Sequence, residues 1–194
     1  MDESIYKILV GLACFLFIVI RGPHVKESRE AKISKIREGR RERLLVGLNY
    51  VSMMVLPLVY VFTTWLNPFT MYLPDAIRLS SAVLFLSGLV LFWWSHASLG
   101  SNWSNKLELR EDHKLITSGP YRFIRHPMYL YFYIYVLSLG LLSSNILILV
   151  SGFMTWTLLY VVRVPDEEKM MIDEFGEQYK QYMKETGRII PKIL

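Results

Sequence analysis

Two short stretches hold most of the residues that could do chemistry. One runs His113-Lys-Leu-Ile-Thr-Ser-Gly119-Pro-Tyr121-Arg-Phe-Ile-Arg125-His126-Pro127-Met-Tyr129, and the other Arg163-Val-Pro165-Asp-Glu167-Glu168. Together they gather guanidinium, imidazole, phenol and carboxylate groups, the types that grip a polar ligand. Gly119-Pro120 should turn the chain. Pro127 removes a backbone donor and holds His126 extended. Irregular backbone of this kind is tolerated at membrane depth only where it is buried in protein or lines a cavity. Each side chain also has a plainer role. Arg122 and Arg125 suit simple charge anchors, and His126 suits a helix cap. Glu167 and Glu168 follow Pro165, which places them in the first turn of a tail helix. Arg163 and Glu167, four apart, could form an ion pair, though a bend at Pro165 would loosen it. Spacing alone marks a ligand site without naming its ligand.

Absent motifs narrow the chemistry. None of the 11 glycines forms G-x-G, so there is no dinucleotide fingerprint and no P-loop. H-E-x-x-H and G-x-S-x-G are missing too. The four histidines, His24, His96, His113 and His126, lack helical metal spacing, so no metal site is expected. The single cysteine, Cys14, excludes an internal disulfide.

The elements that position these stretches are apolar. Of 194 residues, 53% are hydrophobic, and they fall in five nearly charge-free blocks. These are Ile5–Ile20, Leu44–Leu66, Leu79–Leu99, Tyr129–Leu142 and Ile146–Val162. As a helix, the second reaches roughly 34 Å, enough to cross a bilayer core. The fourth is short and gains a turn if it starts at Pro127, since proline fits the first helical position. Only Ser143, Ser144 and Asn145 separate the last two blocks, which predicts an antiparallel hairpin. The hairpin would bring both chemical stretches to one end of the bundle. Beyond it, Met171, Phe175, Tyr179 and Tyr182 recur at helical spacing, so residues 166–185 read as an amphipathic tail helix with Gly187 as its stop. The first block lacks a basic leader and a small-x-small site, unlike a signal peptide. The expected fold class is all-α: a polytopic membrane protein of five transmembrane helices with a cytoplasmic amphipathic tail. Residues 1–100 would hold the first three helices and a basic loop. Residues 101–194 would form the cofactor-binding catalytic region.

Charge orients the bundle. Residues 21–43 carry nine Lys/Arg, residues 101–128 five, and the tail from Arg163 six; the other side has only Lys7 and Arg78. By the positive-inside rule the N-terminus lies outside, and both loops and the tail lie in the cytoplasm. Trp65, Tyr72, Trp93, Trp94 and Trp103 fit interfacial belts. The net charge of +5 is therefore a topology signal, and no nucleic-acid partner is expected. The near absence of intramembrane charge argues against a pump.

The pattern H-x-L-[IV]-x-x-G-P-Y-R-x-x-R-H-P-x-Y, a hairpin, then R-x-x-x-E-E resembles the isoprenylcysteine carboxyl methyltransferase family. The related phospholipid N-methyltransferases share much of it. Phe175-Gly176-Glu177-Gln-Tyr179-x-x-Tyr182 and Ile190-Pro191 extend the likeness, which spans about Leu99 to Pro191. Two separated motifs with agreeing spacing make it specific. The first two spans carry no signature. Where the family motif often continues to glycine after R-H-P-x-Y-x, this chain has Tyr131. The resemblance implies S-adenosylmethionine as cofactor and S-adenosylhomocysteine as product. By position it implies His113, Leu115, Ile116, Tyr121, His126, Pro127, Met128, Tyr129, Glu167 and Glu168 as cofactor contacts. Arg163 would face the substrate carboxylate, with Glu167 as its catalytic companion. The implied substrate is a prenylated cysteine or similar lipid, small or protein-borne, entering from membrane lipid. Phospholipid amine methylation, an NADPH-dependent sterol-type reductase and a non-enzymatic membrane scaffold stay open as alternatives.

Overall fold

The computed structural model describes residues 1–30, 33–36, 40–100, 108–110 and 114–192. Helix α1 spans Glu3–Glu30 and runs on through Pro23. Helices α2 (Arg40–Tyr50) and α3 (Leu56–Phe62) are joined by a π-helical turn, Val51–Val55. Helix α4 spans Asp75–Leu99, α5 Pro127–Leu142, α6 Ile146–Phe175 and α7 Glu177–Glu185. Strand β1 (Ile33–Ile36) pairs antiparallel with β2 (Glu108–Arg110), a short ladder in an otherwise helical chain. Each of the five apolar blocks is thus helical. Four stretches, Glu3–Pro23, Arg41–Phe62, Asp75–Leu99 and Ile146–Phe175, are long and apolar enough to cross a membrane. Helix α5 has 16 residues and starts at Pro127 in its first turn. The chain is an integral, multi-pass membrane protein.

Short α5 is apolar all round because it is the core of the bundle. Its Tyr131, Tyr135, Leu139 and Leu142 are buried to 1% exposure or less. Small residues let its neighbours close on it. A Cβ on Gly152 of α6 would stand 2.7 Å from Val136, and one on Gly88 of α4 would stand 2.8 Å from Ile134. In lipid, such close approach supplies the packing that water would otherwise drive. The outer faces keep Ile8, Phe15, Val83, Val90 and Val161 exposed, as a lipid solvent requires. Exposed Trp65, Tyr72, Trp93 and Trp94 flank these faces; Trp103 lies outside the described residues.

Proline creates the π-turn. Pro57 has no N–H to donate to the Met53 carbonyl four residues earlier. The Tyr135 hydroxyl donates to that carbonyl instead, at 3.2 Å. The hairpin link is equally well bonded. Asn145 caps α6 by accepting from the Ile148 amide at 3.3 Å, and its amide donates to the Leu66 carbonyl at 2.8 Å.

Two expectations need correction. Pro165 does not start a new helix: α6 continues through it to Phe175. Glu167 and Glu168 therefore lie deep in α6, not in the first turn of a tail helix. Proline costs this helix one backbone bond, and the ion pairs described below span the same stretch. The break falls at Gly176, whose φ of 54° only glycine adopts at little cost. The amphipathic tail is thus the shorter α7, which buries Tyr179 and Tyr182.

Candidate active site

One end of α5 and the middle of α6 gather the two chemical stretches. Gly119 opens the first with φ 61°. It packs so closely on Ser98 and Trp94 of α4 that a Cβ would collide. The turn Gly119–Arg122 then buries Tyr121, whose carbonyl accepts from the Tyr182 hydroxyl at 2.6 Å. Burial pushes both phenols up, Tyr182 to about 12, so both remain neutral donors at neutral pH.

The stretch is stitched to the tail beyond α7. The Arg125 amide donates to the Gly187 carbonyl at 2.8 Å, and the His126 amide to Arg188 at 2.9 Å. The Arg125 guanidinium also donates to the Thr186 carbonyl and, at 3.2 Å, to Met183. Glu168 is the hub. It accepts from Arg125 at 3.0 Å, from Arg188 at 2.7 Å and 3.0 Å, and pairs with His126 at 3.3 Å, while only 3% exposed. The carboxylate beside Arg188 holds that guanidinium above its usual range.

Glu167, one residue earlier, faces elsewhere. It accepts from Arg163 Nε at 2.9 Å and lies 3.6 Å from His126 Nδ1. Because α6 stays helical through Pro165, the four-residue spacing closes as an ion pair after all. Arg163 meets a second carboxylate, Glu42 of α2, at 3.1 Å. Sequence reasoning missed Glu42. It lies in a basic segment without a motif, and only the fold brings it to α6.

These groups border a cavity of about 510 Å3 between α1, α2, α5 and α6. Its length is apolar, with Phe17, Met53, Phe132, Trp156 and Leu159 on the wall. Met128, Tyr129, Arg163 and Glu167 line it as well, along with Arg21 and Asn49. Tyr129 is fixed there: its carbonyl accepts from Trp156 Nε1 at 3.1 Å, and its ring packs on His126, Trp156 and Tyr160. Of the residues singled out in the sequence, Met128, Tyr129, Arg163 and Glu167 reach the cavity. His126 stands behind Glu167, and Pro127 starts the helix that carries Met128 and Tyr129. Leu115 and Ile116 lie half-buried in the extended approach to Gly119, and neither they nor Tyr121 line the cavity. His113 lies outside the described residues. Tyr131 is fully buried against α4, its ring 4.1 Å from that of Phe92, so it fills a helix contact and not the cavity.

Comparison with known proteins finds relatives for the segment that holds these residues. Residues 81–173 match the model of the isoprenylcysteine carboxyl methyltransferase family. The chain is 35% identical over 97 residues to the protein-S-isoprenylcysteine O-methyltransferase of Dictyostelium discoideum, covering 48% of this chain and 40% of that one. It is 34% identical over 84 residues to the enzyme of the same name from Schizosaccharomyces pombe, covering 43% and 35%. The match therefore spans less than half the length of these curated relatives. The fold resembles that of a eukaryotic intramembrane Ras methyltransferase, with a TM-score of 0.53 at 23% identity, over 81% of this chain and 55% of that one. The segment that carries both motifs and the hairpin between them is thus the part of the chain that is similar to the isoprenylcysteine carboxyl methyltransferase family.

Proposed function

We propose that this protein methylates the carboxylate of a prenylated cysteine or a similar lipid, with S-adenosylmethionine as donor, at the cytoplasmic face of a membrane. One observation carries the reading: an apolar cavity between membrane helices ends on an arginine and a carboxylate. That pairing suits a molecule with a lipid tail and an ionic head.

The residues present fit the cofactor. Glu167 is the carboxylate on the cavity wall, beside Met128 and Tyr129, and can accept from an ammonium or a ribose hydroxyl. Glu168, filled by Arg125, His126 and Arg188, would act indirectly by fixing the loop at His126. When bound, S-adenosylmethionine supplies an electrophilic methyl group and leaves as S-adenosylhomocysteine. A carboxylate nucleophile is already ionised at neutral pH, so the protein need provide no strong base. Its work is to position two reactants and hold their charges. Arg163 holds the substrate carboxylate, and Glu42 and Glu167 fix the guanidinium from behind. The apolar wall keeps water from the reacting groups. An amine nucleophile would need a base, and both candidate acids are tied up in ion pairs. That favours carboxyl over amine methylation.

Calorimetry on the detergent-purified protein should show binding of S-adenosylhomocysteine. Labelled cofactor should then methylate a prenylcysteine and not phosphatidylethanolamine. No cofactor binding would reject the reading, and labelled phosphatidylethanolamine would replace it with amine methylation. NADPH consumption would instead point to reductase chemistry.

A further inference from the structure

We propose that the loop before α5 and the strap after α7, residues 119–126 and 186–192, together form a surface that docks on anionic phospholipid headgroups. Arg122, Phe123, Arg188, Ile190 and Lys192 make the contact. The headgroups belong to the leaflet on the side of the membrane that carries the site, and they brace the backbone pairing that holds His126. This surface stands apart from methyl transfer, since it requires only that the chain is set in a membrane.

The shortness of α5 sets the depth. Its 16 residues reach about 24 Å, less than the roughly 30 Å of a bilayer core. The residues just before Pro127 therefore lie at headgroup depth and not in free solution. The strap is drawn to the same level. The amides of Arg125 and His126 donate to the carbonyls of Gly187 and Arg188, and Ile124 pairs in parallel with Gly187. At that depth the surface mixes apolar and cationic side chains. Phe123 is 54% exposed and Ile190 74%. Arg122 and Lys192 are exposed too, and Arg188 is half-exposed. Rings and alkyl groups settle among acyl carbons there, while neighbouring cations meet phosphates.

The charge is sorted by depth as well. The loop and strap hold Arg122, Arg125, Arg188 and Lys192 and no acidic residue. One carboxylate, Glu168 of α6, meets both Arg125 and Arg188, so the surface keeps an excess of positive charge. The other acids of this end stand elsewhere. Asp166 lies about 200° around α6 from Glu168, and Asp173 and Glu174 lie about 7 Å or more further from the bilayer. On α7, Glu177 pairs with Lys180, and Glu185 is next to Lys184. A surface of that sign favours anionic over zwitterionic heads.

Thermal unfolding of the full chain tests this, in detergent micelles titrated with phosphatidylglycerol, phosphatidylcholine or inorganic phosphate. A ligand of the folded state raises the melting temperature. Phosphatidylglycerol should raise it, and less so at high salt. Phosphatidylcholine and inorganic phosphate should not. Arg122→Gln combined with Lys192→Gln should need about tenfold or more phosphatidylglycerol for the same rise. Arg122→Lys combined with Lys192→Arg should respond as the wild type does. Arg188 is kept because it pairs with Glu168. Phe123→Ser should also weaken the response, with every charge in place. A Gln double variant that responds like the wild type overturns the proposal, because the lipid then acts elsewhere on the chain. No rise with phosphatidylglycerol overturns it too. So does an equal rise with phosphatidylcholine, a general lipid effect, or with inorganic phosphate, a free-anion site. An unchanged response in Phe123→Ser overturns the docked surface and leaves charge attraction alone.

Discussion

At the scale of single residues, adjacent Glu167 and Glu168 have different tasks because a helix turns about 100° per residue. Glu167 faces the cavity and Arg163, whereas Glu168 faces inward and joins Arg125, His126 and Arg188. Two predictions separate them. Arg163→Ala and Glu167→Ala should each abolish methyl transfer in a protein that still folds, seen as lost labelling with the helical circular dichroism signal retained. Normal turnover in both variants would reject their roles. Glu168→Ala should instead lower stability by about 3–5 kcal/mol, because it leaves buried Arg125 without its carboxylate. A thermal melt would register that, and an unshifted melt would remove Glu168 from its structural role. The sequence made both acids candidates but could not divide them. The division depends on α6 remaining helical through Pro165, and a proline in a sequence reads more naturally as a break.

At the scale of elements, the five helices were legible because each apolar block is long and uninterrupted. The α5–α6 hairpin was legible because its link is only Ser143, Ser144 and Asn145. The tail strap was not. Residues Thr186 to Arg188 have no pattern of their own, and their role is to pair with residues 125 and 126 across the fold. Nor was the π-turn, which depends on a hydroxyl from another helix reaching Met53. Each now makes a prediction. Truncation after Glu185 should remove the backbone bonds at Arg125 and His126, and cofactor affinity measured by calorimetry should fall sharply while the helical circular dichroism signal stays near that of the full chain. Retained affinity would show that the loop holds itself. Tyr135→Phe should cost about 1–2 kcal/mol by leaving the buried Met53 carbonyl without a donor. A denaturation midpoint equal to wild type would mean the carbonyl is satisfied within the π-turn.

At the scale of the whole molecule, the two ends of the bundle divide the labour. The end near the N-terminus carries an ion pair, its arginine buried and its carboxylate exposed, whose role is structural. Arg78 is 7% exposed, donates to Glu3 at 2.8 Å and 3.0 Å and to the Leu142 carbonyl at 3.0 Å, and stacks over the Tyr6 ring. It ties α1, α4 and α5 together where chemistry is absent. The other end carries the cavity and the described part of both motifs, with Arg21, Arg122, Arg125, Arg163 and Arg188 around it, and the sequence segments that flank it hold twenty of the 22 Lys and Arg. We infer from that asymmetry that the chemical end faces the cytoplasm, where a water-soluble cofactor would reach it. Cysteine labelling tests this directly. The native thiol, Cys14, is buried at 1% exposure and gives little background. Tyr72→Cys lies on the sparsely charged end at 98% exposure, and Gln181→Cys on the exposed face of α7. In intact cells, a membrane-impermeant maleimide should modify Tyr72→Cys and should modify Gln181→Cys only after permeabilisation. The reverse pattern would place both motifs outside, away from the cytoplasmic methyl donor, and would overturn the orientation together with the cytoplasmic part of the proposed function.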